Sequence, residues 1–283
     1  YLMVKDSIFN ELFVLELANN HWGSLKRGYK IINDYARVVK KNNIKASIKL
    51  QFRNVKDFIH PEYYLNKEIR YIDKTRRTMI SWENISKMIK AVSSNGMLTM
   101  ATPFDEYSIN KCAEFNLDLI KIASSDVKDK NLISNISDVG KPVIASSGGC
   151  ELKDLDWIYD HFKSKNVPFA LNHCVSLYPS EDSQLQLNQI DFLRARYPDI
   201  TIGFSSHEYT SWDYSMMVAY GKGARTFERH IDIDFEGVPV SKYCSLPNQV
   251  DIWFKAFSKA KEFCGNSSDS IRTVDIEEKE YLD

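Results

Sequence analysis

The sequence predicts a single-domain α/β protein, a (β/α)8 TIM barrel, from three observations. Short apolar, β-branched runs recur along the chain, there are eight of them, and longer helical patterns separate them. Parallel strands need crossover connections, which are usually helices, and eight strands can close a barrel. A doubly wound open sheet is the alternative, but it rarely needs eight units of similar size. The eight runs cover residues 12–17, 45–51, 97–104, 118–125, 141–149, 168–174, 200–206 and 224–230.

The segments between the runs have the periodicity of amphipathic helices. The clearest candidates cover residues 24–43, 81–96, 187–198 and 211–223. In the first, apolar residues form one stripe and we expect its Lys and Arg side chains to lie outside. In the second, Ser81 is a plausible N-cap and Gly96 marks the end. The residues from 52 to 80 are too many and too polar for a simple connection, so we expect an insertion over the mouth of the barrel after the second strand.

The composition excludes some classes of protein. With 37 basic and 38 acidic side chains the net charge is −1, which gives no electrostatic reason to expect a nucleic acid or an acidic membrane as partner. No apolar run of about 18 residues predicts a membrane span. The first ten residues lack the apolar core of a secretory signal. The five cysteines form no C-x-x-C pair, so we expect reduced thiols and a cytoplasmic protein.

Polar side chains gather at the carboxyl ends of the predicted strands, where parallel barrels build their active sites. Buried strand ends carry so many polar groups only when something satisfies them. In strand order these residues are Glu16, Lys49, Gln51, Thr102, Lys121, Ser124, Ser125, Ser146, Ser147, His173, Ser176, Ser205, His207, Glu228 and His230.

Two lysines among hydroxyl groups predict an anion site. Lys49 and Lys121 would project from separate strands into one mouth, and Ser and Thr hydroxyls donate hydrogen bonds to phosphate oxygens. The alternative is that each lysine extends from a strand end to solvent. For a pair within apolar runs we favour the anion site.

Two histidines at matching strand ends suggest a metal site. His207 and His230 end neighbouring strands, which lie about 4.8 Å apart in a sheet. Two imidazoles and a carboxylate with an open position suit a catalytic divalent cation. The alternative is that each ring is bonded to a backbone carbonyl, and the spacing alone does not decide between the two.

At these residues the chain resembles the sialic acid synthase family, which includes N-acetylneuraminate synthases and relatives for legionaminic, pseudaminic and spore-coat sugars. The resemblance spans almost the whole length, and the ordered set of motifs is more specific than any one of them. The motifs are LELANNHWGSL, SIKLQ, ATPFD, IKIASSD, GKPVIASSGG, LNHCVSLYPS, IGFSSHE (similar to Ile-Gly-x-Ser-Asp-His) and GARTFERHIDID.

The resemblance implies an enzyme that condenses phosphoenolpyruvate with the open-chain aldehyde of an N-acylated amino sugar, releasing phosphate, with Mn²⁺ or Mg²⁺. It implies that His207 and His230 are the metal ligands and, with Glu16, the catalytic residues. The residues implied to bind phosphoenolpyruvate are Lys49, Thr102, Lys121, Ser124, Ser146, Ser176 and Ser205. Those implied to face the sugar are Gln51, Asp126, Tyr178 and Ser241.

Several positions depart from the family's motifs. Asp126 stands where the family has Glu, Ser206 and Ser241 stand where it has Asp, and Ser176 stands where it has Asn. We therefore expect the donor half of the site to follow the family more closely than the acceptor half. A different sugar, a sugar phosphate, or a non-catalytic module that keeps the barrel are the alternatives. Arg53, Arg76 or Arg77 in the insertion would favour a phosphorylated acceptor.

The resemblance also implies a domain organisation. We expect the barrel over residues 1–270, and residues 271–283 as the start of a linker toward a C-terminal antifreeze-like (SAF) domain that this sequence does not contain. The family's domain-swapped dimer makes a homodimer the expected assembly.

Overall fold

The computed structural model describes residues 7–66 and 68–265, and it confirms the predicted barrel. Eight parallel strands pair in chain order, and the first also pairs with the last, so the sheet is closed. The strands are β1 (Leu12–Ala18), β2 (Ala46–Phe52), β3 (Leu98–Pro103), β4 (Leu119–Ile122), β5 (Val143–Ser146), β6 (Phe169–Cys174), β7 (Thr201–Ser206) and β8 (Thr226–His230).

Helices follow the strands and cover the outside of the barrel. They are α1 (Leu25–Asn42), α2 (Val55–Phe58), α3 (Arg70–Arg77), α4 (Trp82–Ser94), α5 (Glu106–Glu114), α6 (Lys130–Asp138), α7 (Leu152–Ser164), α8 (Asn188–Arg196), α9 (Trp212–Gly221) and α10 (Pro247–Cys264). The predicted cap of α4 is confirmed, because the Ser81 hydroxyl accepts a hydrogen bond from the Asn84 amide at 3.2 Å. This side-chain acceptor satisfies an amide that the first turn leaves unpaired.

The predicted insertion is present after β2. Phe52 belongs to the strand, and the insertion then carries α2 and α3 before α4 begins. Its position over the barrel mouth matters for the site, because α3 contributes a side chain to the cavity there.

The interior of the barrel changes from apolar to polar along the strands. Apolar side chains fill the amino-terminal end: Phe9, Leu12, Val14, Met100, Leu119, Ile144 and Ala170 form one buried cluster. The other apolar faces of the strands pack against the helices in a larger cluster. Since successive side chains on a strand point to opposite faces, every second residue reaches the interior. The polar residues at the carboxyl ends therefore face one another above an apolar floor.

One basic residue of α1 does not lie outside as expected. Arg27 is buried and ion-pairs with Asp232 at 2.7 Å, and it also donates to the backbone oxygens of Asn20, Ile233 and Phe235. A buried guanidinium needs both a counter-charge and hydrogen-bond acceptors. The loops after β1 and β8 supply them, and the pairing fixes the loop after β8 against α1.

The five cysteines carry free thiols. The predicted boundary between residues 270 and 271 lies outside the described residues. Within residues 7–66 and 68–265, no helix is long and apolar enough to cross a membrane.

Candidate active site

A cavity of about 280 Å³ opens at the carboxyl ends of the strands. Most of the predicted site residues meet there, although they come from all eight strands or the turns that follow them. The lining residues are Glu16, Lys49, Gln51, Lys74, Thr102, Phe104, Lys121, Ala123, Ser124, Ser146, Cys174, Tyr178, Ser205, His207, Glu228, His230 and Tyr243.

Strand register places Glu16 at the centre of this arrangement. Glu16 is paired in register with Lys49 on one side and with His230 on the other. Lys49 Nζ forms an ion pair with Glu16 and a second one with Glu228 at 2.9 Å. It also lies 3.4 Å from the Thr102 hydroxyl. One buried ammonium group therefore sits between two buried carboxylates.

Burial sets the ionisation of this cluster. It lowers the pKa of Lys49 to about 8, although the charge of Glu228 acts against the shift. Burial alone would raise the pKa of Glu228, but the charges of Lys121 and Lys49 outweigh it and lower that pKa. The Glu228 carboxylate is therefore held in its charged form.

Lys121 forms the second half of the predicted anion site. Its Nζ donates to the Ser146 hydroxyl at 2.7 Å and to the Ile122 carbonyl at 2.9 Å. Ser124 and Ser205 line the same cavity. The lysine does not extend to solvent, since only 2 % of its surface is exposed. Its ammonium group, with these hydroxyls, offers an oxyanion both a charge and hydrogen-bond donors.

A glycine makes room for the wall behind these serines. The Gly148 amide donates to the Ser124 hydroxyl at 3.1 Å. A Cβ at position 148 would meet Ser176 Oγ at 2.1 Å and Ser124 Oγ at 3.0 Å. Ser176 therefore lies against the cavity wall but outside its lining.

The two predicted metal ligands lie side by side. The ring centroids of His207 and His230 are 5.4 Å apart, and the Tyr178 ring packs 4.1 Å from that of His207. His207 Nδ1 is 3.0 Å from the Val175 carbonyl. Because a carbonyl only accepts, Nδ1 carries the proton and Nε2 keeps its lone pair.

Both imidazoles are held neutral, as metal binding requires. Burial lowers the pKa of His207 to about 4. Desolvation, and then the neighbouring His207, keep the pKa of His230 well below its ordinary value. The expected third ligand is not there: in the described part of the chain, no three His, Cys, Asp or Glu side chains are arranged to hold a metal ion. Glu16 and Glu228 face Lys49 instead.

Unsatisfied carboxylate oxygens mark where a ligand would be bound. Both oxygens of Glu16 and Oε2 of Glu228 are buried without a hydrogen bond from the residues that the structure describes, apart from the ionic contact to Lys49. Buried polar atoms are rarely left in this state. If a divalent cation is bound here, the neutral imidazoles of His207 and His230 would hold it.

The predicted sugar-facing residues are divided. Gln51 and Tyr178 line the cavity, whereas Asp126 and Ser241 do not. Asp126 is half-buried beside Arg53, accepts a hydrogen bond from the Ser125 hydroxyl, and burial raises its pKa. Ser241 lies in the loop after β8, where its carbonyl accepts from the Cys244 amide.

Six lining residues had no role in the predicted site, although Glu228 was expected at the carboxyl end of its strand: Lys74, Phe104, Ala123, Cys174, Glu228 and Tyr243. Glu228 had a signal, since it stands two residues before His230 and must share its face of the strand. Cys174, expected only to be a reduced thiol, lines the wall as a neutral thiol whose pKa burial raises. Lys74 had no signal in the sequence, because the residue pattern of α3 does not show which side of the helix faces the cavity. Phe104 and Tyr243 follow strands β3 and β8 in loops, where no periodicity applies.

Comparison with known proteins identifies the family. The model of the NeuB family matches residues 38–267. The chain belongs to the NeuB family. Similar proteins include human N-acetylneuraminate-9-phosphate synthase (26 % identical over 227 residues, covering 78 % of this chain and 62 % of the relative). Pseudaminic acid synthase of Campylobacter jejuni is 28 % identical over 232 residues, covering 78 % and 65 %.

The solved structures agree with this family. A protein from Chromobacterium violaceum, assigned as spore coat polysaccharide biosynthesis protein E, superimposes with a TM-score of 0.93 at 29 % identity, covering 96 % of this chain and 81 % of that one. The chain spans less than two thirds of the length of either curated relative.

Proposed function

We propose that this NeuB-family chain condenses phosphoenolpyruvate with the aldehyde carbon of an N-acylated hexose, giving a nonulosonic (sialic-type) acid and inorganic phosphate. One observation carries the proposal: Lys49 and Lys121, with seryl and threonyl hydroxyls, share a cavity with two neutral histidines. That combination suits a phosphorylated, anionic donor and a divalent cation. Curated relatives that make sialic-type acids support the product class.

The charges of the cavity explain how an anionic donor would be held. Glu16 and Glu228 offset the formal charges of Lys49 and Lys121, so the cluster by itself is close to neutral. A donor with two or three negative charges needs further positive charge in a site of low dielectric. We propose that His207 and His230 bind Mn²⁺ or Mg²⁺ there. When bound, the metal ion would act as a Lewis acid toward the aldehyde oxygen.

The residues of the chain then have distinct tasks. Lys121, Ser124 and Ser146 hold the phosphate, which orients the methylene carbon of the donor toward the aldehyde. As the carbon–carbon bond forms, the enol carbon that bears the phosphate becomes electrophilic. Glu16, whose Oε2 pairs with Lys49 and whose Oε1 has no polar partner among the described residues, orients or deprotonates the water that attacks this carbon. Loss of phosphate from the adduct then leaves the keto acid.

Calorimetric titration with phosphoenolpyruvate, with and without Mn²⁺, tests the donor half without any choice of sugar. Micromolar binding that strengthens with the metal is the expected result. Phosphate release is then measured with N-acetylmannosamine and related acyl-hexoses. If the folded protein binds no phosphoenolpyruvate in either condition, the proposal fails and the non-catalytic alternative, motivated by Asp126, Ser206 and Ser241, takes its place.

One observation favours a second acceptor class, a sugar phosphate. Lys74 of α3 lines the cavity and brings a further positive charge to the mouth. Arg53, Arg76 and Arg77 do not line it: Arg53 stacks on Phe104 at 3.9 Å, and the other two lie over aromatic rings outside it. Parallel assays with N-acetylmannosamine and its 6-phosphate decide between the classes. A preference of the wild type for the 6-phosphate, lost in Lys74→Met, supports a sugar phosphate as the acceptor.

We also propose a homodimer, from the family resemblance, and a cytoplasmic location, from the five cysteines that form no C-x-x-C pair. Light scattering coupled to size exclusion tests the assembly. A molar mass equal to that of one chain at micromolar concentration contradicts it.

A further inference from the structure

The residue before His207 is not the aspartate of the Ser-Asp-His motif, and a different carboxylate takes the place of that aspartate in the structure. Ser206 stands where the motif has Asp, and Glu208 follows His207. We propose that Glu208 supplies the counter-charge to Arg229 that an aspartate before His207 would supply, and that the Arg229–Glu208 pair positions the imidazoles of His207 and His230. The inference rests on the proposed function only in the use of those imidazoles as metal ligands.

The pair lies directly behind the two histidines. Glu228 and His230 line the cavity, so Arg229 between them points outward from β8. On β7 the same alternation turns Ser205 inward and Ser206 outward. The Arg229 guanidinium lies 5.5 Å from the Trp212 ring, at the start of α9. The charged pair is thus buried between the barrel and a covering helix.

Arg229 connects the ends of β7 and β8 at the point where their backbone pairing ends. The last residues of β7 and β8 in register are Ser206 and Arg229, and each is followed at once by a histidine. The guanidinium donates to the Ser206 hydroxyl at 3.0 Å and to the Glu208 carbonyl at 2.5 Å. These bonds fix the main chain on both sides of His207.

A third bond of the same guanidinium reaches the other histidine. Arg229 Nε donates to the Ser245 hydroxyl at 2.5 Å, and the Ser245 amide donates to the His230 carbonyl at 2.9 Å. One side chain therefore holds the backbone around both imidazoles. Within the described residues the β7–β8 register ends at Ser206 and Arg229, so the guanidinium bridges the two chains at the point where the ladder stops.

The counter-charge comes from Glu208. The exposed fractions of Arg229 and Glu208 are 1 % and 0 %. Glu208 Oε2 lies 3.2 Å from Arg229 Nη1 as an ionic contact, and Oε1 accepts a hydrogen bond from the Ser215 hydroxyl. Because the Ser206 hydroxyl is neutral, it cannot offset the buried guanidinium. Glu208, one position after His207, offsets the guanidinium charge instead of an aspartate one position before His207.

The test uses Glu208→Gln, Ser206→Asp and the double variant, each titrated with Mn²⁺ by calorimetry at a temperature where circular dichroism shows it folded. Glu208→Gln should weaken Mn²⁺ binding at least ~10-fold, the usual loss for a group that orients a metal ligand. The double variant should regain most of this affinity, because Ser206→Asp restores a carboxylate beside the guanidinium. Asp156→Asn is the matched control: it makes the same change opposite Arg196 on the outer helices, and Mn²⁺ affinity should not change.

The outcomes separate this inference from the proposed function. A folded Glu208→Gln variant with wild-type Mn²⁺ affinity overturns the positioning role, and a double variant no better than Glu208→Gln overturns the replacement. If Glu208→Gln does not fold, Ser215→Ala removes the donor to Oε1, together with a 3.2 Å bond to the Trp212 carbonyl. It should weaken binding by a smaller factor, and unchanged affinity counts against the proposal. If the wild type binds no Mn²⁺, the metal part of the proposed function fails. Imidazole nitrogen NMR then decides: the signals of His207 and His230 should be sharp, broaden in Glu208→Gln and sharpen again in the double variant.

Discussion

Lys49 and Glu228 lie 2.9 Å apart on β2 and β8, and Glu16 of the intervening β1 contacts the same ammonium group. Three strands thus share one buried charge cluster at the place where the sheet closes. The Lys49 ammonium is the cation that contacts both carboxylates, so the stability of the cluster depends on this lysine. The same cluster lines the cavity, which ties folding to ligand binding.

Replacing the lysine should cost folding stability. Lys49→Met leaves two buried carboxylates without their cation, and removing one partner of a buried pair costs about 3 kcal/mol or more. Urea unfolding measures this, with Lys26→Met as the control: Lys26 pairs with Glu236 on the surface, where such a pair contributes roughly 1 kcal/mol at most. Lys49→Met/Glu228→Gln should recover part of the loss. Equal effects of the two lysine variants would refute the structural role.

Lys121→Ala should weaken phosphoenolpyruvate binding. The loss of a charge-assisted hydrogen bond is worth about 2 kcal/mol, or roughly 30-fold in Kd. Calorimetric titration measures it. Lys128→Ala, which removes a half-exposed lysine from the turn before α6, should leave the affinity unchanged. Unchanged affinity in Lys121→Ala itself would place the phosphate site elsewhere.

His207→Ala should abolish Mn²⁺ binding, because it removes one of two adjacent neutral imidazoles. His161→Ala is the control, since that ring contacts the Ser137 hydroxyl on the outer helices. Electron paramagnetic resonance of free Mn²⁺ gives the stoichiometry in both. Retention of one bound Mn²⁺ per chain by His207→Ala would rule out the ligand assignment.

Gly148→Ala should disturb the anion site through its wall. The new Cβ would lie 2.1 Å from Ser176 Oγ and 3.0 Å from Ser124 Oγ, so the phosphate-binding serine must move. We expect weaker phosphoenolpyruvate binding, with partial recovery in Gly148→Ala/Ser176→Gly. Gly221→Ala, at the end of α9 with its nearest neighbour 3.9 Å away, should bind normally. Normal binding by Gly148→Ala would show that the wall adapts.

Stability should fall as the pH falls from about 6.5 to about 4. Burial lowers the pKa of His21 to about 4, against 6.5 for the ordinary imidazole. Between these pH values the unfolded chain binds a proton that the folded chain does not, so acid favours unfolding. The largest loss of unfolding free energy that this one group can cause is about 3 kcal/mol. His21→Gln should therefore lose less stability than the wild type between pH 7 and pH 4.5. Urea unfolding at both pH values gives the difference, and identical losses would contradict the assignment to His21.

Much of the fold could be predicted because its signals are local. Eight apolar runs with polar carboxyl ends predict both the barrel and its mouth, and the register of β1 with β2 and β8 then places Glu16 beside Lys49 and His230. The buried Arg27 could not be predicted, since its acceptors come from loops distant in sequence. Lys74 entered the site through the orientation of α3, which tertiary packing decides. Strand spacing predicted that the two histidines lie together. It could not predict that Glu16 and Glu228 pair with Lys49 instead of joining the histidines as metal ligands.

Barrel closure has a consequence for biosynthesis. β1 pairs with β2 and with β8, so the charge cluster joins the first two strands to leave the ribosome with the last one. Until the last strand arrives, the nascent sheet has two open edges, and the Lys49 ammonium lacks one of its two carboxylates. Long-range pairings of this kind form late and leave unpaired edges exposed in the meantime. Insertion of the final strand therefore completes the sheet and the binding cavity in one step, and a chain that fails to place it has two exposed edges and no complete cavity.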